Sequence, residues 1–409
     1  MMRKILSLFL TFSLLFSLPL LFSGCSLHTG EAPQTTVDVT PDSGEAADAL
    51  DFAIRLYRTA YDGDNTLLSP LSVLAALAMT ANGAAGETRS QMESVLGMTV
   101  SELNAFFTAY LAALPNDQNC KLAIADAIWI RDDSRLVVKD SFLSVNADVY
   151  RAAAYRTLFD RAAVEEINGW VREKTDGMIE RILDEVPSKS LMMLILNALA
   201  FDAKWESPYR DEPSVQSGDF KKENGDKVRV EFLCGNERIY LEDGDRAIGF
   251  VKPYAGGRYA FAALLPSEGT AIADYIATLD GERIATILQN RRTCTVLTRL
   301  PKFESRTELL LNDSLKKLGM TDAFSESADF SGINDSCELY ISRVLHKTFI
   351  EVGEQGTRAA AVTGVFLDYG GNFYLEEPKV VTLDRPFVYL IYDVENSLPL
   401  FIGTLNDPS

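Results

Sequence analysis

One stretch limits what this chain can fold into more than any other: Glu351-Val-Gly-Glu-Gln-Gly-Thr-Arg-Ala-Ala-Ala-Val-Thr-Gly364. It has a charged start, two early glycines and a run of small side chains. In an extended chain successive side chains point to opposite faces. Thr357, Ala359, Ala361, Thr363, Val365 and Leu367 then form one row, small and mostly apolar. Arg358, Ala360, Val362, Gly364, Phe366 and Asp368 form the other, which holds every charge. The first row could enter a crowded sheet. Yet Gly364, Gly370, Gly371 and Asn372 punctuate the stretch as they would an exposed loop. A loop that is also a competent strand can act as a switch.

The 409 residues are 47% hydrophobic and 24% charged, ample for a large core. The net charge of −19 comes without a Lys/Arg cluster on any candidate helix. That argues against a nucleic-acid partner, which needs clustered cations. The N-terminus reads as a targeting segment: Arg3-Lys4, an apolar run over 5–22, then Ser23-Gly24-Cys25. Residues 1–24 are expected to be a signal peptide. Small residues before Cys25 are similar to a bacterial lipobox, although Phe22 stands where a Leu is usual. Cys25 is therefore the expected lipidation site, and residues 25–44, rich in Thr, Pro, Gly, Asp and Glu, the expected flexible tether. The expected location is secreted, on a cell surface, with the membrane reached only through the lipid. Cys120, Cys234, Cys294 and Cys337 are widely spaced with no C-x-x-C, which favours buried free thiols over a disulfide framework or a metal site.

From residue 45 to 409 there is no second linker and no internal repeat, so a single domain is expected. Its first third reads as helical. Leu50, Ile54, Tyr57 and Tyr61 keep helical spacing. Ser69-Pro70 opens a helix running to Asn82-Gly83. Thr88-x-x-Gln91 predicts a capping box for a helix ending at Leu96-Gly97. Ser101 predicts the next cap, and further helices are expected over 140–150 and 162–184. Residues 121–130 and 191–201 read as strands buried on both faces. Later residues are mostly strand (around 228–234, 247–251, 259–265, 293–303, 337–352, 386–394 and 398–405), with helices at 271–289 and 307–318. Helices first and strands later, with few crossovers, predict an α+β architecture.

Catalysis finds little support. Of two histidines, His28 lies in the tether, leaving His346 in a strand-like context where a hydrogen-bonded core role is the ordinary reading. There is no Gly-x-Ser-x-Gly elbow, no His/Cys cluster for zinc and no phosphate-cradling glycine loop. No spacing singles out a carboxylate pair among the 58 acids. No cofactor, no metal and no enzymatic activity are expected.

Motifs over nearly the whole domain resemble the serpin family, the large serine-protease inhibitors. In order they are Asn65-Thr-Leu-Leu-Ser-Pro-Leu-Ser72, Ala76-Leu-Ala-Met79, Gly83-Ala-Ala-Gly-Glu-Thr88 through Gln91, and Ile167-Asn-Gly-Trp-Val171 with Thr175. Then come Leu196-Asn-Ala-Leu-Ala-Phe201 with Trp205, Leu300-Pro-Lys-Phe303, Leu318-Gly-Met320 with Ala323-Phe324, and Asp329-Phe-Ser-Gly332. Ile341-Ser, His346-Lys347, the 351–364 stretch, Arg385-Pro-Phe387 and Pro399-Leu-Phe-Ile-Gly403 complete the series. Each alone is weak; in this order they are very specific. Two departures are Asn82, where a Leu is usual, and Asp202-Ala203 before Lys204-Trp205, where Lys-Gly is usual.

The resemblance implies a serpin fold: N-terminal helices around a large central mixed β-sheet, further sheets, and an exposed reactive-centre loop at about 354–380. It implies a suicide substrate, in which a protease cuts the loop, forms an acyl-enzyme and is carried off as the loop joins the sheet. Glu354, Gly356, Thr357, Ala359, Ala360, Ala361 and Thr363 would be the hinge. Glu354 would pair with Lys302 where the loop enters the sheet. Ser69, Ser72, Asn197 and His346 would form a polar cluster at the sheet's opening point. The family's usual spacing, counted forward from Gly356, puts the cut at Gly370-Gly371 to within one residue, with Tyr369 just before Gly370 as an attractive aromatic. Counted back from Pro386 it points to Leu375, with Phe373 and Tyr374 beside it. The loop is about five residues longer than in common relatives. No Lys or Arg occurs over 359–378, so the implied partner is a chymotrypsin- or elastase-like protease held covalently by a monomeric inhibitor. The alternative is a non-inhibitory binding or carrier protein of the same fold.

Overall fold

The structure, a computed structural model, describes residues 43–114, 120–209, 214–336, 338–357 and 377–409. The expected signal peptide, the lipidation site Cys25 and nearly all of the tether lie outside these residues. So do Cys337, Ala359, Ala360, Ala361, Thr363, Tyr369, Gly370, Gly371, Phe373, Tyr374 and Leu375.

Helix α1 (Ser43–Ala60) buries Leu50, Ile54 and Tyr57 along one stripe. Helix α2 (Pro70–Ala81) starts on Pro70, whose fixed φ suits the first turn. It is buried on almost every side, as an all-apolar helix must be. Helix α3 (Gly86–Leu96) begins before the expected Thr88 box and has no side-chain cap. The Thr88 hydroxyl instead accepts from the Asp329 N–H, and the Gln91 amide oxygen accepts from the N–H groups of Thr321 and Asp322. Both side chains fasten a segment more than two hundred residues away, which local sequence cannot show. The α3 C-cap is Gly97 in the left-handed conformation at φ 81°. Helix α4 (Val100–Ala112) is capped by Thr99 and Glu102 in a reciprocal box, so Ser101 is not its cap. After α5 (Asp140–Tyr150), helix α6 (Arg161–Lys174) stops ten residues short of the expected 184. Asp176 and Gly177 take positive φ there, and residues 175–191 run on irregularly.

The strands are β1 (Thr66–Leu68), β2 (Cys120–Arg131), β3 (Ala153–Thr157), β4 (Met193–Lys204), β5 (Val215–Lys221), β6 (Lys227–Asp243), β7 (Ala247–Pro253) and β8 (Tyr259–Pro266). Then come β9 (Arg292–Pro301), β10 (Phe303–Leu310), β11 (Leu345–Val352), β12 (Gly356–Thr357), β13 (Lys379–Thr382), β14 (Phe387–Asp393) and β15 (Leu398–Leu405). The remaining helices are α7 (Ile272–Ala277), α8 (Gly281–Gln289) and α9 (Asn312–Leu318). Two expectations are corrected here. Residues 307–310 extend β10 against β11 instead of opening a helix, and residues 338–344 form no strand.

One sheet has the order β1-β15-β14-β8-β7-β6-β9-β13, with β5 beside β6. Its strands β8, β14 and β15 are buried on both faces and form the centre of the core. The other sheet has the order β10-β11-β12-β4-β2-β3 and is mixed, since β2 and β3 run parallel. Helix α2 packs behind it and α6 against β2 and β4. Cys120 is buried, and Cys234 and Cys294 are half-buried free thiols.

Candidate functional site

Strand β12 decides the site. It is two residues long, yet it sits between β4 and β11 and pairs with both. Gly356 lies opposite Lys204, and Thr357 opposite Ala203 on one side and Val352 on the other. Beyond β12, no ladder joins β4 to β11 among the described residues. A cavity of about 200 Å³ opens there, lined by residues of β4, β11, α2, α6 and residues 338–344. Two parallel strands held apart by the first residues of a third leave a slot one strand wide.

The hinge is seated by specific contacts. A Cβ on Gly356 would lie 2.0 Å from the Ala203 carbonyl oxygen, so only glycine fits at the point of entry. Thr357 is fully buried, with its hydroxyl 2.6 Å from that of Tyr254. It therefore faces the core, as the row assignment requires. The Trp205 indole donates to the Gly353 carbonyl at 2.9 Å, and the Trp205 and Tyr209 N–H groups donate to the carbonyls of Gln355 and Glu354. Lys302 stands between two carboxylates, 2.8 Å from Glu354 and 2.9 Å from Glu231. The Lys302 ammonium holds Glu354 below the usual carboxylate range, and the two acids raise Lys302, Glu354 most. Both partners of the pair are partly exposed, so it contributes at most about 1 kcal/mol. That strength suits a contact that must release.

Below the hinge the structure brings the polar candidates together in part. The His346 Nε2 accepts from the Ser69 N–H at 2.9 Å, so the neutral ring carries its proton on Nδ1. Ser72, Asn197 and His346 all line the slot. Asn197 bonds not to His346 but to Asp126, its cross-strand neighbour on β2, donating at 2.9 Å. Its amide oxygen and the Ser69 hydroxyl are buried without a partner among the described residues. Nothing in the sequence pattern marked Asp126, because its environment depends on the β2–β4 register. The same holds for Tyr254 and for Asp184. Asp184 lies in the segment after α6 and pairs at 2.9 Å with Lys347, which also meets Glu308.

Burial pushes Asp126 up to about 7, against the opposing Asn197 bond, and pushes His346 down to about 4. The signs are opposite. The neutral Asp126 carboxyl favours the folded state at low pH, and this is lost as pH rises toward 7 and the buried group must ionise. The neutral His346 ring favours it at high pH, and this is lost as pH falls from about 6.5 toward 4. Asp126→Asn should therefore stabilise the protein more at pH 8 than at pH 5, by about 2–3 kcal/mol between the two. Urea midpoints of native-state unfolding at both pH values check this. An equal displacement at pH 5 and pH 8 would contradict it.

Residues 47–408 match the family model described as serpin, serine protease inhibitor. The chain belongs to the serpin family. An uncharacterized serpin-like protein of Thermococcus kodakarensis is 32% identical over 388 residues, covering 92% of this chain and 89% of that one. Tengpin, a thermophilic serpin, matches in its native state with a TM-score of 0.82 at 42% identity, over 88% of this chain and 94% of that one. Its latent state matches with a TM-score of 0.79 at 39% identity, over 89% and 98%. Human thyroxine-binding globulin matches with a TM-score of 0.79 at 25% identity, over 89% and 98%. The fold is thus the serpin fold, and the family is in general one of protease inhibitors, not of catalysts.

Proposed function

We propose that this serpin inhibits chymotrypsin- or elastase-like proteases by inserting its cleaved loop into the slot between β4 and β11. The register of β12 carries the reading. Continued one residue at a time, it sets Ala359 opposite Phe201, Ala361 opposite Leu199 and Thr363 opposite Asn197 on β4. On β11 it sets the same three opposite Ile350, Thr348 and His346. Phe201, Leu199, Ile350, Thr348 and His346 are all buried. On insertion small uncharged side chains would therefore meet the core, with Thr363 opposite Asn197, whose amide oxygen lacks a partner among the described residues. Arg358, on the other face, falls between Asp202 and Glu351. Filling β4 to Met193 uses the loop as far as Leu367, which leaves the window from Tyr369 to Leu375 for the cut.

The missing Lys and Arg over 359–378 support the target class, and Tyr369 suits an aromatic-accepting pocket. The leader and Cys25 support a secreted, lipid-anchored inhibitor at a cell surface. Incubation with chymotrypsin, elastase and trypsin, followed by denaturing gels and mass spectrometry, tests the inhibitory mechanism and the target class. A covalent band with the first two and a cut between Tyr369 and Leu375 are expected. A cut after Arg358 or Lys379 within an active complex would contradict the target class. Clean cleavage without any complex would instead support a carrier, the kind of role that the name of thyroxine-binding globulin indicates for that relative.

A further inference from the structure

The loop returns to the fold at β13, which ends its sheet and pairs only with β9 among the described residues. Val381, Val296 and Thr298 point into the core, and the alternate residues point out. Val380 and Leu297 are direct cross-strand neighbours and are 59% and 42% exposed. Asn236 of β6 continues the same row on the other side of Leu297 and is exposed. Thr295, Thr382 and Arg299 occupy the flanking outward positions. The patch thus holds two adjacent exposed aliphatic side chains, amide and hydroxyl groups, an arginine and no carboxylate. In a chain of net charge −19 that is an unusual face. Depletion of acids with Arg and aliphatic side chains retained is the composition of an interface.

Chain length says what covers it. Gly370 is nine residues from Lys379, and Leu375 is four. Extended chain spans about 3.3 Å per residue, so a protease bound at either bond is held within about 30 Å or about 13 Å of β13. A bound enzyme therefore stays within reach of β13, whose outward row is the exposed one. We propose that the outward face of β13, β9 and β6 around Leu297 and Val380 is an exosite, which takes an apolar rim on the protease and speeds its capture. This rests on the inhibitory reading above.

The test compares Leu297→Lys with Val380→Lys, singly and together, against the unaltered protein and Val137→Lys. Val137 is equally exposed but lies on the loop between β2 and α5. The rate constant of association with chymotrypsin and with elastase is measured beside the stoichiometry of inhibition. The double variant should associate at least tenfold more slowly with one of the two enzymes, at unchanged stoichiometry. Val137→Lys should match the parent. Equal rates for all variants in a protein that still forms the covalent complex would overturn the exosite and leave the inhibitory reading intact. A parent that forms no complex would overturn both. A parent that elutes as a dimer, with the variants monomeric, would assign the face to a second copy and overturn the proposal.

Discussion

On the inhibitory reading, Ala361→Arg should turn this serpin into a plain substrate. The covalent band should vanish, the cleaved chain should accumulate, and the stoichiometry of inhibition should rise more than tenfold. If the β12 register continued on insertion, position 361 would fall in the inward row opposite Leu199 and Thr348, both buried. No carboxylate faces that position from either strand. An unpaired guanidinium there costs several kcal/mol. Inhibition is a race between insertion and hydrolysis of the acyl-enzyme, and each 1.36 kcal/mol added to the insertion barrier shifts the outcome about tenfold. Arg358 shows why the face matters. It is also an arginine of the expected hinge, but the same continued register would turn it outward between Asp202 and Glu351, where a cation is welcome. Inhibition by Ala361→Arg at the parent's stoichiometry would mean that the hinge does not enter the sheet.

Much of the fold was legible in the sequence because burial leaves a pattern. Strands β8, β14 and β15 are apolar at almost every position because both faces are covered, and their limits were visible to within a residue or two. Pro70 and Gly97 marked helix ends through their own backbone preferences. What failed depended on distant partners. Thr88 and Gln91 have the chemistry of a capping box but bond to residues 321–329 instead. Residues 307–310 look helical with α9 after them, yet they pair with residues 345–348. Residues 338–344 read as the start of a long strand. In the structure they line the open slot, where no strand among the described residues pairs with them.

The candidate site was legible in the same uneven way. Lys302 with Glu354, and Ser69 with His346, were identified through motifs and are in contact in the structure. The inward row was visible from period 2 alone, and Thr357, its first member, is buried against Tyr254. Asp126 was not visible. An aspartate in an apolar strand has no meaning until its cross-strand neighbour is known to be Asn197.

The central claim is that the intact fold stores energy which a severed loop releases. Filling the slot adds about a dozen residues to two ladders, on the order of 10 kcal/mol at a net ~1 kcal/mol per hydrogen bond. Burying the side chains of Ala359, Ala361, Val365 and Leu367 adds a few more, at ~0.8 kcal/mol per methylene-sized group. While β12 and β13 both stay paired, the uncut chain cannot reach this state. The native state is then kinetically held above a better one. Thermal unfolding of the intact protein beside a sample nicked once within the loop measures the difference directly. The nicked protein should melt at least about 15 °C higher, given a shift of a degree or two per kcal/mol for a chain of this size. Coincident melting curves would contradict the stored energy, and with it insertion as the mechanism.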